Sequence, residues 1–591
     1  MPDNSNRNTV IFVVLAFLML MAYQVFVMGP QAKRREAELK ARQGEQAQVV
    51  PGAKALDQTQ VYLPRAKVVG QSPRLQIDTP SVSGSLSLRG ARIDDLFLKG
   101  YRETVDPKSP AVELLRPEGA KFAWFAEFGW TGANLPGLPT PDTVWTLVEG
   151  QVLSPGKPVV LRYDNGQGLV FTRKIEVDNK FMFTVSDTVA NTTGAVLNLT
   201  PYGSIQRQGV PVQANGATAH EGALGVLDKE LRLIKYKAWK KDGEKNFSSD
   251  GGWLGITDKY WLAAMVPDQA ENVHASFRVT QAGGVDIYES AFVAQSRNVA
   301  PGQSLTHVSR LFAGAKTAPV LKAYQTDLKI PRFVDAVDWG TLYFFTKPIF
   351  WLLEQFNSVL HNFGLAILAL TVLVKLVFFY PYNLSYASMT KMKKIQPDVE
   401  ALRTKYKDDP AKQQQEMMAL YQREKINPLM GCLPMLATIP VFLALFKVLN
   451  VTIEMRHAPF FGWIQDLSAP DPTSIFTLFG LIPWDPSIVP FVGNLIAHLG
   501  VWPLAYGITT ALSMAMSPPA PDPTQQAMMK MMPIIFTFVL APLAVGLLIY
   551  YSWSNLLTIL QQYVVMRRHQ VETPIDRMWA RLTGKSPATT G

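Results

Sequence analysis

Between Met528 and Met566 the chain runs for 39 residues with Lys530 as its only formal charge. As one helix that run would be about 58 Å long, against a bilayer hydrocarbon core of about 30 Å. One helix is too long, yet a run this apolar reads as bilayer-spanning, so an average soluble protein is not expected. Pro542 and Gly546 fall near the middle of the run, and two spans joined by a tight hairpin, 531–541 and 546–565, fit its length. Three more runs in the same half meet the requirement: Phe363 to Tyr382 with Lys375 as its one charge, Leu429 to Leu449 with Pro434 and Pro440, and Leu499 to Met516. Thr9 to Met28 carries no charge and reads as an uncleaved anchor within 1–30. A signal peptide is the alternative, but no small-x-small cleavage site follows in Val27-Met28-Gly29-Pro30. The expected fold is membrane α-helical, with six spans of which five form a core.

Between the anchor and that core the pattern changes. Residues 31–70, rich in Gln, Ala and charge, read as a linker. From Arg74 the apolar period becomes two, as at Val82, Gly84, Leu86 and Leu88. Val159 to Tyr163 and Leu169 to Thr172 flank Asp164-Asn165-Gly166-Gln167-Gly168, a hairpin whose turn residues tolerate positive φ. Strand signals recur to about Phe312, so 71–325 is expected to be one large extracytoplasmic all-β sandwich. Cys432 is the single cysteine, which excludes a disulfide framework and a cysteine metal site. The β domain must therefore hold itself together by its core, and about 250 residues suffice. His220, His274 and His307 stand far apart near no acid-rich motif and read as satisfied or exposed imidazoles. No metal and no cofactor is expected.

Charge placement sets the orientation. The net charge of +10 points to anionic partners, and its location matters more than its total. Residues 335–360 suit an amphipathic helix in the interface, with Leu342, Phe345, Ile349, Leu352, Leu353 and Phe356 on one side. The loop 383–428 holds Lys391, Lys393, Lys394, Arg403, Lys405, Lys407, Lys412, Arg423 and Lys425, and the tail 567–591 holds Arg567, Arg568, Arg577, Arg581 and Lys585. Both belong in the cytoplasm by the positive-inside rule, which four intervening spans satisfy. The N-terminus is then inside and the β domain outside; Lys33, Arg34 and Arg35 oppose this, one local count against two larger ones. Within the loop, Met392, Ile395, Val399, Leu402 and Tyr406 follow a heptad seam, and Met417, Leu420 and Tyr421 offer a second helix, giving an antiparallel hairpin kinked at Pro397. Each of its cations also fits a plain solvated face.

Lys375 is the most informative residue. It lies about 10 Å from the cytoplasmic end of its expected span, too deep for a lysine stem to reach the headgroups comfortably. Leaving it in lipid would cost about 2.5–3.5 kcal/mol. The other spans contain no Asp or Glu to pair with it, so water must hydrate it. A polar cavity open to the cytoplasm follows, lined by Lys375, Thr438, Tyr550, Tyr551 and Gln561 if the helices converge, with Tyr550, Tyr551 and Phe442 an apolar slide for an incoming helix. A lysine that bends toward the headgroups without function is the other reading. Residues 531–541 would give only about 16 Å of helix, and that mismatch predicts local bilayer thinning.

Asn427-Pro428-Leu429-Met430-Gly431-Cys432-Leu433-Pro434, Ile439-Pro440-Val441-Phe442-Leu443-Ala444-Leu445, Asp466-Leu467-Ser468, and Tyr550-Tyr551 with Ser554-Asn555-Leu556 resemble the core of the YidC membrane protein insertases over about 335–570. An anchor plus a large β domain is similar to the Gram-negative branch, whose periplasmic β-supersandwich is similar to sugar-binding folds. The resemblance implies a five-helix insertase core in the inner membrane, a chaperone and insertase for hydrophobic nascent segments from the ribosome, acting alone or beside the Sec translocon. It also implies a hydrophilic groove in which the family's span-two arginine is replaced here by Lys375, keeping charge but losing a bidentate fork. Thr438 stands where a glutamine is frequent, and the basic tail resembles a ribosome-contacting tail. Ribosome contact is expected at Lys391, Lys393, Lys394, Arg403, Lys405, Arg567 and Arg568. No nucleophile or phosphate loop appears in spans or loops, so no enzyme is expected. A solute transporter would want an intramembrane carboxylate, and a carbohydrate-binding role for the β domain rests on fold analogy alone.

Overall fold

The computed structural model describes residues 62–133, 135–211, 219–426, 433–479, 481–489, 493–518 and 523–583. The expected anchor, most of the linker and the Asn427 to Cys432 motif lie outside the described residues.

Residues Arg74 to Ala315 form two sheets, of eleven and nine strands among the described residues. The strand Leu169–Val177 shows how sequence sets this layer: every second residue from Leu169 is buried. It pairs antiparallel with Val159–Asp164 and with Met182–Asn191. At the first of these turns Gly166 and Gly168 take positive φ, and the Asn165 side chain accepts from the Gln167 and Leu169 amides at 2.8 and 2.9 Å. Phe171, Phe183, Phe277, Phe292, Phe312 and Trp253 bury fully in one continuous core. One cation ties the sheets together: Arg173 holds both oxygens of Asp187 on its own sheet, at 2.6 and 2.7 Å, and the Phe128 carbonyl of the other at 2.8 Å. The linker is shorter than expected at its end, because Arg65–Val69 is helical, Val68 is buried and Arg65 Nε donates to Asp95 at 2.7 Å.

The helical half differs from the simple span list. The expected single span 363–382 breaks at Phe378 into Phe363–Val377 and Phe379–Lys394, bent by 70°. Pro381 is the physical reason: it has no amide for the Val377 carbonyl, and its ring crowds that oxygen. The expected span 531–541 is, up to Leu540, part of a longer helix, Pro523–Leu540, about 27 Å long. The mismatch expected of an 11-residue span therefore loses its basis. The remaining expected spans correspond to Leu433–Val451, Val501–Met516 and Val545–Arg568. No single described helix is long and apolar enough to cross a membrane alone. Tyr343–Leu360 buries Ile349, Phe350 and Leu353 and leaves Phe344, Trp351 and Val359 exposed. In the loop, Gln396–Lys405 and Pro410–Arg423 close on a small core of Ile395, Val399, Leu420 and Ile426, with Met392, Leu402, Met417 and Tyr421 packed on it.

The two halves meet through a polar joint around the end of Leu433–Val451. Lys447 Nζ donates to Asp338 at 2.6 Å, and the same carboxylate takes the His220 amide at 2.9 Å. Arg456 donates to the Arg102 and Glu103 carbonyls at 2.7 and 3.0 Å and lies 5.5 Å from the Trp261 ring centroid. Glu454 accepts the Ala318 amide at 3.0 Å, while its other oxygen is buried with no partner among the described residues.

Burial pushes the Glu454 carboxyl up to about 7. A carboxyl raised above its unfolded value holds a proton in the closed joint that it releases on opening. The joint is therefore most stable at acid pH and loses stability as pH rises from about 4.5 through about 7. Amide exchange at Ala318 and Met455, corrected for intrinsic rates, should report a larger opening free energy at pH 5 than at pH 8, and Glu454→Gln should flatten the difference. Equal values in the parent chain would show that Glu454 is already ionised in the joint.

Candidate functional site

The site begins with the bend at Phe378. Lys375 stands in the last turn of Phe363–Val377, and the turn at Phe378 carries Tyr382 beneath it. Lys375 Nζ donates to Thr558 Oγ1 of Val545–Arg568 at 2.7 Å and lies 4.9 Å from the Tyr382 ring centroid. The Thr558 hydroxyl donates to the Ser554 carbonyl at 2.9 Å, and its oxygen lone pairs remain to accept from the lysine. The Tyr382 hydroxyl reaches Thr438 Oγ1 at 3.3 Å. One polar string thus crosses from Val545–Arg568 to Leu433–Val451. Lys375 has no carboxylate within ion-pair distance among the described residues.

Beside the lysine is a cavity of about 510 Å³, lined by Lys375, Asn383, Gln561, Arg568 and His569 and walled by Val372, Leu376, Phe379, Leu560 and Val564. Gln561 Nε2 donates to Asn383 Oδ1 at 2.7 Å, closing polar group on polar group across the cavity wall.

The residues expected to share one groove fall into two groups. Lys375 and Gln561 line the cavity, and Arg568, expected at the ribosome surface, joins them. Thr438 reaches the lysine through Tyr382. Phe442, Tyr550 and Tyr551 form a separate aromatic cluster with Tyr506, with Tyr551 5.2, 5.4 and 5.5 Å from Phe442, Tyr550 and Tyr506. Tyr550 is only 2% exposed, so it supports that cluster from within and presents no sliding surface. Lys391, Lys394, Lys405 and Arg567 are exposed, and Lys393, Arg403 and Gln561 are half-buried. Sequence reading missed Asn383, Tyr382 and Thr558. The signal for Thr558 was present: Asn555, Thr558, Gln561 and Gln562 repeat at helical spacing along an otherwise apolar segment.

A two-sheet β domain fixed to an apolar helical bundle, with an uncompensated cation beside a half-polar cavity, defines a membrane protein with a large extramembrane domain. Two family models match, one described as the YidC periplasmic domain over residues 74–352 and one as a 60Kd inner membrane protein over 355–572. Membrane protein insertase YidC of Caulobacter vibrioides (strain NA1000 / CB15N) is 56% identical over the full length of both chains. The protein of the same name from Beijerinckia indica is 47% identical over 96% of this chain and 97% of its own. A solved structure titled as an active YidC insertase with its first transmembrane domain resolved aligns over 86% of this chain and 95% of its own, at 17% identity and a TM-score of 0.36. The chain belongs to the YidC family of membrane protein insertases. Its β domain is the family's periplasmic domain and its helical half the inner-membrane part. These matches do not favour the transporter or carbohydrate readings.

Thr558→Val removes the hydroxyl that accepts from Lys375 while keeping side-chain shape. A hydrogen bond to a charged group contributes about 1.5–3 kcal/mol. Thermal unfolding of the detergent-solubilised protein should show a destabilisation of that order. Thr558→Ser should recover most of it, and an unchanged Tm in Thr558→Val would mean that water solvates the ammonium equally well.

Proposed function

We propose that this insertase receives hydrophobic nascent segments in the cavity beside Lys375 and releases them sideways into lipid, alone or beside the Sec translocon. The observation that supports this most is the Lys375 ammonium, held by a hydroxyl and an aromatic face with no carboxylate beside it among the described residues. Such a cation attracts the acidic residues of a tail being translocated. The wall formed by Val372, Leu376, Leu560 and Val564 offers the apolar segment an intermediate surface before lipid. Each step is a partition, favourable by roughly 25 cal/mol per Å² of apolar area removed from water, and no bond is made or broken. In the same reading the protein is multi-pass, with both termini cytoplasmic, which accords with the basic residues of 383–428 and 567–591. The ribosome then meets Lys391, Lys393, Lys394, Arg403, Lys405, Arg567 and Arg568.

Insertion into reconstituted vesicles tests the lysine. Lys375→Arg should support insertion of a single-span substrate with an acidic tail, whereas Lys375→Glu should impair it and spare a neutral-tailed control. Normal insertion of the acidic-tailed substrate by Lys375→Glu would remove the electrostatic role. Photo-crosslinking from Leu560 to ribosome-bound nascent chains tests the wall directly.

Contacts from these cations to ribosomal RNA phosphates release counterions, so affinity should fall steeply between 50 and 200 mM salt, by about 10³-fold or more for six contacts. Cosedimentation of the reconstituted protein with ribosomes measures this. Salt-independent binding, or binding unchanged after charge reversal at Lys391, Lys394, Lys405 and Arg567, would overturn the assignment.

A further inference from the structure

The last described helix, Pro574–Thr583, follows Val545–Arg568 after a short turn. Ile575, Met578 and Trp579 share one face at helical spacing, while Arg577 lies on the other; the sequence continues the pattern with Leu582 and Arg581. Met578 and Trp579 are 52% and 68% exposed and Ile575 is half-buried, so the outer part of this stripe has no described element over it.

The helix is also fixed in place. Thr573 Oγ1 accepts the Asp576 amide at 3.1 Å and Asp576 Oδ2 accepts the Thr573 amide at 3.0 Å, a reciprocal cap on its start. The same carboxylate takes the Tyr563 hydroxyl at 3.4 Å and lies 3.8 Å from Arg567, both on the preceding helix. The apolar stripe is therefore held close to the level at which Val545–Arg568 ends. Cations gather at that level: Arg567 and Arg568 are exposed, and Arg577 is near enough to Lys393 to act with burial in pushing its ammonium down. From Arg567 to the end the chain has five basic residues and two acidic ones.

We propose that Pro574–Thr583 lies in the headgroup layer of an anionic bilayer, with Met578 and Trp579 at the acyl boundary and Arg577 at the phosphates. This rests on the reading of the preceding helices as membrane spans. Exposed apolar side chains on one face and guanidinium groups on the other match the two layers of a lipid surface. Ribosomal RNA would satisfy the arginines but leave the Ile575, Met578 and Trp579 stripe in water. The tail helix is on this account an anchor that sets the height and tilt of the last span, while the hairpin cations, with Arg567 and Arg568 at the end of that span, remain for the ribosome.

The test uses the full chain in nanodiscs of phosphatidylcholine with phosphatidylglycerol, in a Cys432→Ser background. An environment-sensitive fluorophore is placed in turn at Trp579→Cys, Arg577→Cys and Phe538→Cys. The probe at 579 should show blue-shifted emission and quenching by lipids spin-labelled near the headgroup; the probe at 577 should show much less. Met578→Asp should reduce the quenching at 579, and discs of phosphatidylcholine alone should weaken it. No quenching at 579 while the 538 probe is quenched by deep-labelled lipid would overturn the tail anchor and leave the span reading intact. No quenching at 538 would overturn the span reading and the anchor with it. Protection of 579 only after ribosomes are added would make the ribosome the partner and overturn the proposal, as would equal quenching in both lipids for its anionic component.

Discussion

A helix that begins in apolar surroundings exposes amides that nothing nearby can satisfy unless the protein itself supplies acceptors. In this bundle one short segment, 467–473, does so for two helices. The Ala469 and Leu467 carbonyls accept from Val545 and Gly546 at 2.7 and 3.0 Å. Asp471 and Thr473 side chains accept from Trp502 and Val501 at 2.9 and 3.1 Å. Asp471 is fully buried and is held in turn by the Thr473 amide and hydroxyl. Gly546 has little room for a side chain, since a Cβ there would lie 3.0 Å from both the Leu467 carbonyl and a Leu449 methyl, and one of them would have to give. The start of the last core helix is thus set by backbone contact. The loop that carries this segment also carries Glu454 and Arg456, so one connection both caps the bundle and clasps the periplasmic domain.

With its far ends fixed in this way, the bundle can tolerate a break elsewhere. Pro381 interrupts the ladder after Val377 and brings Tyr382 under the Lys375 ammonium. A straight helix would send residue 382 about 10 Å further along the axis from Lys375. The bend therefore creates the polar string from Thr558 through Lys375 and Tyr382 to Thr438, and opens the flank where Asn383 meets Gln561. A backbone irregularity, rather than a special side chain, builds the site.

Sequence patterning carried the β domain well because period two follows directly from strand geometry: the hairpin at Asp164 to Gly168 and the alternating face of Leu169–Val177 were both legible. The helical half was legible as a set of apolar runs and less so as a set of helices. Hydropathy reports what lipid tolerates, whereas a helix ends where its hydrogen-bond ladder ends. Pro381 sits inside an apolar run and so left no trace in a hydropathy window. Pro523–Leu540 begins upstream of the apolar stretch because Gln525, Gln526 and Lys530 are acceptable in a helix although they are not apolar. The cavity divided the expected groove because sequence gives a residue's depth along a helix more readily than its azimuth. Lys375 and Tyr550 are both legible as residues of apolar helices, and only packing tells that Tyr550 turns inward to the aromatic cluster.

Two lysines of the apolar helices, set side by side, argue for what Lys375 is. Lys447, near the end of Leu433–Val451, is paired with Asp338 at 2.6 Å, and that pair belongs to the joint with the periplasmic domain. Its charge is spent on holding structure. Lys375 has an equally short bond, 2.7 Å, but to a neutral hydroxyl. A hydroxyl orients an ammonium without cancelling its field, and the Tyr382 face adds attraction without adding countercharge. If stability alone had shaped the position, a leucine would fit an apolar helix at less cost in desolvation. A cation kept in place, with no countercharge among the described residues, instead projects positive potential into the adjoining cavity, and the role proposed for Lys375 rests on that potential.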